Sequence, residues 1–492
     1  MVHSKIEQGR APRRSRGRLA VAFLAVVFLA AACSSSGQQK QPGQVLAAPQ
    51  EWMPAGASQP AELGVKWDWD KFTTYQPYLQ SFAGGDTFYE LVWCDVEPTP
   101  GAVDWSTIDQ VVAGAAKVGF EMNLKIRTGS CWATAARLGA RGEKNKTASL
   151  VPADLAAYQD FVKAVVTRYA PRGVHRYAVE NEVNGNGFWQ ATPAQYESLV
   201  RTASTVIRAA DPKAIVLDGG ISATAYGAGV AQWLLDQGRT DEAVAAYNAF
   251  YERRFVVRGG QLPRVHDVAG LRSALKGAQP AQNLAFLEAT FRLAAAGVID
   301  AYQLHFYEPW GNVPLLLSYL HSRLPANLPI ESWETGIFWP GGDETAMSGE
   351  TVKLTSLLLA GGVRRIIWLP TAHDPGGKKA TEDRWGLFGT DDQPRTSALL
   401  YRDLAKATAG SAVQGLPGDQ VRGVSLSHDE KTVMVLWSDS TAHLAKPLPA
   451  GSDVRSADGG TGPGDPAALA LDRTPLVVTL PASAAAALGL IR

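Results

Sequence analysis

The sequence predicts an α/β protein organised as a (β/α)₈ barrel, an expectation that rests on three observations. Eight short apolar or β-branched runs recur between Glu62 and Leu369, and stretches with helical patterning separate most of them. The chain has 492 residues, 46% of them hydrophobic, enough for one large core and a smaller satellite domain. Polar residues of the kinds that carry chemistry cluster where several runs end, and a barrel of parallel strands opens its mouth at the C-terminal ends of its strands.

The expected strands are Glu62 to Trp67, Thr87 to Trp93, Phe120 to Ile126, His175 to Val179, Ala214 to Asp218, Val298 to His305, Pro329 to Trp333 and Val363 to Leu369. Helices are expected at Trp105 to Lys117 and Asp154 to Tyr169. A third has a clear start: Thr192 is the N-cap, Pro193 the first helical residue, and Gln195 completes a capping box. It should run to about Ala210, ahead of Asp211-Pro212. The gap between the fifth and sixth strands exceeds what one crossover helix needs, so residues 222–297 are expected to form a helical insertion. The barrel should occupy residues 61–408. From residue 409 to 492 the texture changes to Val421 to Ser427, Thr432 to Ser438 and Leu476 to Leu480, with Gly, Pro and Asp between them. This predicts a small C-terminal all-β sandwich domain.

Residues 1–32 read as a signal peptide. A basic segment ending at Arg18 leads into the apolar run Leu19 to Ala32, which is short for a bilayer span. Ala30-Ala31-Ala32-Cys33 resembles a bacterial lipobox in which Cys33 is lipidated, with plain secretion or an uncleaved anchor as alternatives. Residues 33–60, rich in Gln, Pro, Ala and Gly, then form a tether to the membrane. Without the leader the chain carries 41 basic and 46 acidic side chains. That balance lacks the basic character a nucleic-acid partner demands. Nothing in the sequence calls for a second subunit, so a monomer is expected. Cys94 and Cys131 remain as an even pair at neighbouring strand ends, compatible with a disulfide or with two buried thiols.

Three strand ends stand out: Val179-Glu180-Asn181-Glu182 after the fourth, His305-Phe306-Tyr307 after the sixth, and Ser332-Trp333-Glu334-Thr335-Gly336 after the seventh. Two carboxylates across one barrel mouth suit the cleavage of a glycosidic bond, in which one acts as a proton donor and the other stays ionised. Glu180 and Glu331 are rivals for these roles, each two or three residues from Glu182 or Glu334, and alternation could turn a rival away from the cleft. No His, Cys and Asp set has metal-ligand spacing and no glycine-rich loop suggests a nucleotide, so neither metal nor cofactor is expected.

The stretch YELVWCDVEPTPGAVDWSTIDQVVAGAAKVGFEMNLKI resembles the second-strand to third-strand unit of glycoside hydrolase clan A. YAVENEVNGNGFWQATPAQYESLVRTASTVIRAADPKAIVLDGG resembles the clan's fourth-strand unit, LPIESWETG its nucleophile strand, and WGLFGTDDQPRTSALLYRDLA its closing segment. Within the clan the nearest likeness is to the β-xylosidase and α-iduronidase family and its bacterial exopolysaccharide-hydrolase relatives. The resemblance implies a retaining enzyme acting on β-D or α-L glycosidic bonds of a carbohydrate, with Glu182 as acid/base and Glu334 as nucleophile. It also implies that Asn181 meets the sugar 2-hydroxyl, that His305 and Tyr307 orient the nucleophile, and that Trp368 forms a platform beneath the sugar. Arg127 and Trp132 are further candidates for substrate contact. Each has a plainer alternative: His305 as a structural histidine, Trp368 as core packing, and Arg127 as a buried ion-pair partner. A lipoprotein that binds polysaccharide without cutting it is the alternative from another class.

Overall fold

The computed structural model describes residues 61–488, apart from residues 83, 138–147, 256–261, 339–342, 375–383, 417–419, 445 and 461–468. The expected leader, Cys33 and the tether lie outside the described residues. Among the described residues no helix is long and apolar enough to cross a membrane.

Eight parallel strands form the centre: β1 (Glu62–Val65), β2 (Gly85–Val92), β3 (Phe120–Arg127), β4 (Arg176–Val179), β5 (Ile215–Leu217), β6 (Tyr302–Phe306), β7 (Ile330–Thr335) and β8 (Val363–Trp368). They pair as two four-stranded sheets, β2-β3-β4-β5 and β1-β8-β7-β6. Parallel bridges from Leu217 to Ala301 and from Ile221 to Leu304 join β5 to β6. At the other seam Gly64 of β1 lies against the Asp86 backbone of β2, and burial together with the neighbouring Asp86 carboxyl pushes the Glu62 carboxyl up to about 7. The ring therefore closes in sequence order.

Alternation along the strands sorts the interior into layers. Arg365 pairs with Glu62 (2.8 Å) and Asp86 near the strand starts, and Arg176 pairs with Glu331 (2.5 Å). Above them Phe88, Ala178, Leu217, Ala301, Trp333 and Ile367 form a dry layer from different strands. The opposite strand faces pack on the helices in the main core.

Helices α1 (Phe72–Gln80), α2 (Ser106–Lys117), α3 (Leu155–Tyr169) and α4 (Pro193–Ala210) follow the first four strands in turn. Their starts obey the local chemistry: Asp154 caps α3 through the Ala156 N–H, and Thr192 with Gln195 forms the expected capping box on α4. Residues 222–297 hold α5 (Thr224–Asp236), α6 (Thr240–Phe250), α7 (Val268–Leu275) and α8 (Ala278–Ala295), with α8 packed on α4 and α5. Helices α9 (Val313–Arg323), α10 (Glu344–Ala360) and α11 (Thr396–Thr408) follow the last three strands.

The C-terminal region holds antiparallel strands, as expected. Its strands β9 (Ala412–Gly415), β10 (Arg422–His428), β11 (Lys431–Trp437), β12 (Asp453–Ser456) and β13 (Leu476–Pro481) make one antiparallel sheet, ordered β9-β10-β11-β13-β12. One face places Val424, Leu426, Val435 and Trp437 in the barrel's core. On the other face Met434, Leu436, Val478 and Leu480 pack with Leu471 of a two-stranded ribbon and with Ala485 of a short terminal helix.

Candidate active site

The polypeptide at the end of β4 adopts an unusual path. Glu180 and Glu182 both have positive φ, 71° and 40°. Left-handed backbone at a side chain of this kind costs about 1–2 kcal/mol and is tolerated where surrounding contacts impose it. Here the Glu182 N–H donates to Gly219 O (3.1 Å), the Glu180 N–H donates to Ile126 O (2.9 Å), and the two glutamates part company. Glu180 is buried and accepts from the Thr128 N–H (2.7 Å) and hydroxyl (3.1 Å). Burial pushes its carboxyl up, opposed by Arg127 and by these hydrogen bonds. Glu182 is left at the mouth with its side chain 16% exposed.

Glu334 comes from β7 on the opposite side of the ring. One oxygen each of Glu182 and Glu334 and one His305 nitrogen all lie within 4.8 Å of one another. The surroundings of Glu334 are crowded: Lys125 Nζ donates to Oε1 (2.6 Å), and the Tyr307 hydroxyl donates to Oε2 (2.9 Å). Burial acts to raise the Glu334 carboxyl, but the positive potential from His305 and Lys125 outweighs it and holds the group below the ordinary carboxylate range. These three groups could ligate a cation geometrically, yet the Lys125 ammonium already supplies positive charge at that point.

The His305 ring is oriented from below. Gln303 Nε2 donates to Asp218 O (2.7 Å), which leaves Gln303 Oε1 to accept from His305 Nε2 (2.9 Å). Nδ1 is thereby the edge offered to Glu182 Oε1 (3.3 Å) and Glu334 Oε2 (3.6 Å). Asp218 accepts from the Gln303 and Gly220 N–H groups (2.8 and 3.0 Å), and burial pushes its carboxyl up to about 6. Gly220, at φ 72°, lies so close that a Cβ there would sit 2.3 Å from His305 Nε2.

The structure thus brings Glu182, Glu334, Asn181, His305 and Tyr307 together. Glu331 lies away from them, held by Arg176 and the Trp333 indole N–H (3.0 Å) at the barrel's base. Trp368 is a correction. Arg365 and Ile367 face into the barrel, so Trp368 faces the helices, fully buried with its ring 5.4 Å from that of Tyr401. It is core packing, and Leu369, packed on the interior layer, occupies the inward position instead. Arg127 is a buried ion-pair partner, 2.8 Å from Glu90 and 3.8 Å from Glu180. Trp132 donates its indole N–H to Glu97 O (2.7 Å) and packs edge-on against Trp93. Beside it Cys94 and Cys131 are joined as a disulfide with Cα atoms 5.6 Å apart, tying the helical turn Trp93–Val96 to the loop after β3.

Sequence reading missed Lys125, Gln303, Asp218 and Glu90. For Lys125 a signal existed. In β3, Asn123, Lys125 and Arg127 alternate with Met122, Leu124 and Ile126, and a lysine repeating on the polar side of an otherwise apolar strand points into the barrel.

No protein-family model and no curated protein matches the chain. Solved structures do. A family 39 glycoside hydrolase from Bacteroides cellulosilyticus WH2 aligns over 89% of this chain and 83% of its own, with TM-score 0.58 and 15% identity. A family 39 β-xylosidase from Caulobacter crescentus aligns over 87% of this chain and 97% of its own, with TM-score 0.51 and 13% identity. The strand order, the helices between strands and these alignments lead to one conclusion: over most of its length the chain shares the barrel fold of family 39 glycoside hydrolases.

Proposed function

We propose that the protein is a retaining glycoside hydrolase that cleaves β-D or α-L bonds of a poly- or oligosaccharide by double displacement. The observation that carries this reading is the carboxylate pair, whose oxygens lie within 4.8 Å in unlike surroundings. That spacing suits direct attack by one carboxylate, since inverting enzymes hold theirs about 6.5–9.5 Å apart to seat a water. The buried Glu334, kept ionised by its neighbours, attacks the anomeric carbon and forms a glycosyl ester as the C–O bond to the leaving group breaks. The part-exposed Glu182 gives its proton to the departing oxygen. In the second half Glu182 takes a proton from water, the water oxygen bonds to the anomeric carbon, and Glu334 leaves as carboxylate. Tyr307 steadies the attacking group.

Export and lipidation at Cys33 complete the proposal. The Cys94–Cys131 bridge supports it, because disulfides persist chiefly in oxidising compartments. The test is release of reducing sugar from a panel of polysaccharides and aryl glycosides by the purified protein and by its Glu182→Gln and Glu334→Gln variants. Turnover lost in both variants is the expected result. Tight binding of a glycan with no turnover by any version would make the protein a polysaccharide-binding lipoprotein instead.

A further inference from the structure

Resting on that reading, we infer that Lys125 is the positioning residue of the site: its ammonium turns the Asn181 amide so that Nδ2 faces the sugar, and it maintains Glu334 as the ionised member of the pair. Lys125 is fully buried in the middle of β3. It donates to Glu334 Oε1 at 2.6 Å and to Asn181 Oδ1 at 2.7 Å, with the Phe88 ring 4.3 Å away. An ammonium has donors and no acceptor, so only the oxygen end of the Asn181 amide can face it. The amide nitrogen is thereby presented to the opposite side as a donor. Among the described residues that nitrogen has no partner on the chain. One cation so couples the group that would read the sugar 2-hydroxyl to the group that would attack the adjacent carbon.

The other source of positive potential at Glu334 is His305, whose Nδ1 lies 3.6 Å from Oε2 and whose Nε2 lies 3.3 Å from the Lys125 ammonium, while Tyr307 donates a neutral hydroxyl. Glu182 after β4 and Glu90 on β2 are acidic, and Arg127 is taken up by Glu90 at 2.8 Å and by Glu180. Removing the ammonium therefore takes away the hydrogen bond to Glu334 Oε1 and one of the two sources of positive potential on that buried carboxylate, leaving His305 alone to oppose burial.

The experiment compares Lys125→Met and Lys125→Arg with the wild type in the full-length chain. Infrared pH-difference spectra, with Glu334→Gln as the reference that identifies the band, read the Glu334 titration without requiring turnover. The midpoint should rise by about one to three pH units in Lys125→Met and stay near the wild-type value in Lys125→Arg. In parallel, the loss of kcat/KM on replacing a glycoside by its 2-deoxy counterpart should be about tenfold in the wild type and should shrink towards none in Lys125→Met. If Lys125→Met does not fold, Lys125→Gln removes the charge while leaving a donor, and the same titration is read from it. A folded variant whose Glu334 midpoint matches the wild type overturns the inference. A wild type that hydrolyses no glycoside removes the hydrolase reading, and the infrared titration still decides the role of Lys125.

Discussion

Gly220→Ala tests whether the placement of His305 matters to the chemistry. The methyl group would sit 2.3 Å from His305 Nε2, where ordinary contact begins at 3.4 Å, so the ring must shift by about 1 Å. That shift disturbs the 2.9 Å bond to Gln303 and the 3.3 Å approach to Glu182 together. A misplacement of about 1 Å in a reacting constellation costs about 100-fold in rate, or about 2.7 kcal/mol of activation free energy. Alanine at φ 72° adds backbone strain of about 1–2 kcal/mol. Gly238→Ala separates the two effects, because Gly238 has φ 75° and nothing within 4 Å of its Cβ position. Urea denaturation should show the backbone-strain cost in both variants, with about 1–3 kcal/mol more in Gly220→Ala from the displaced ring. The kcat/KM on the best glycoside should fall about 100-fold in Gly220→Ala and hold in Gly238→Ala. Equal kcat/KM in the two variants would refute the claim that the Gly220 contact sets the ring for catalysis.

Trp368→Phe should leave KM unchanged and lower stability by about 1–3 kcal/mol in urea titrations, because the indole packs in the core against Tyr401. A large rise in KM would return Trp368 to the sugar site. Asp218 has a folded-state pKa raised from 3.8 to about 6. The native state therefore holds the proton more tightly than the unfolded chain, and stability from this group is lost as pH rises through that window. Relative to Asp218→Asn, the wild type should lose on the order of 3 kcal/mol between about pH 4 and 6, measured by denaturant titration at a series of pH values. Replacing Cys94 and Cys131 by Ser opens a loop with a sequence separation of 37, and stability should fall by up to about 4 kcal/mol in the same assay under non-reducing conditions.

The barrel was legible because its strands are short apolar runs with polar residues at their ends, and the run carrying Glu334 reads the same way in sequence and in structure. Helix starts at Asp154 and Thr192 were legible because capping is local chemistry. Trp368 misled because its place at a strand end was weighed without the alternation of Arg365 and Ile367, which turns it outward. The alternation of β3 marks Lys125 as inward-facing, but its partners Glu334 and Asn181 come from other strands and are not legible from β3 itself. The paired positive φ values of Glu180 and Glu182 have no signature in residue type, since neither position is glycine or asparagine. Nor could composition say which face of the C-terminal sheet meets the barrel, because both faces are apolar.

The charged base of the barrel also bears on traffic. Among the described residues, Arg365, Arg176, Glu331 and Asp86 close one end beneath an apolar layer, and the carboxylate pair lies towards the other end. On the proposed function, glycan, departing fragment and attacking water then share one doorway. On a double-displacement route, water reaches the ester only after the fragment has moved off, and any sugar hydroxyl waiting in that doorway competes with it. Chain transfer should therefore rise with the concentration of acceptor, and a concentrated product stream would rebuild some of the bonds it came from.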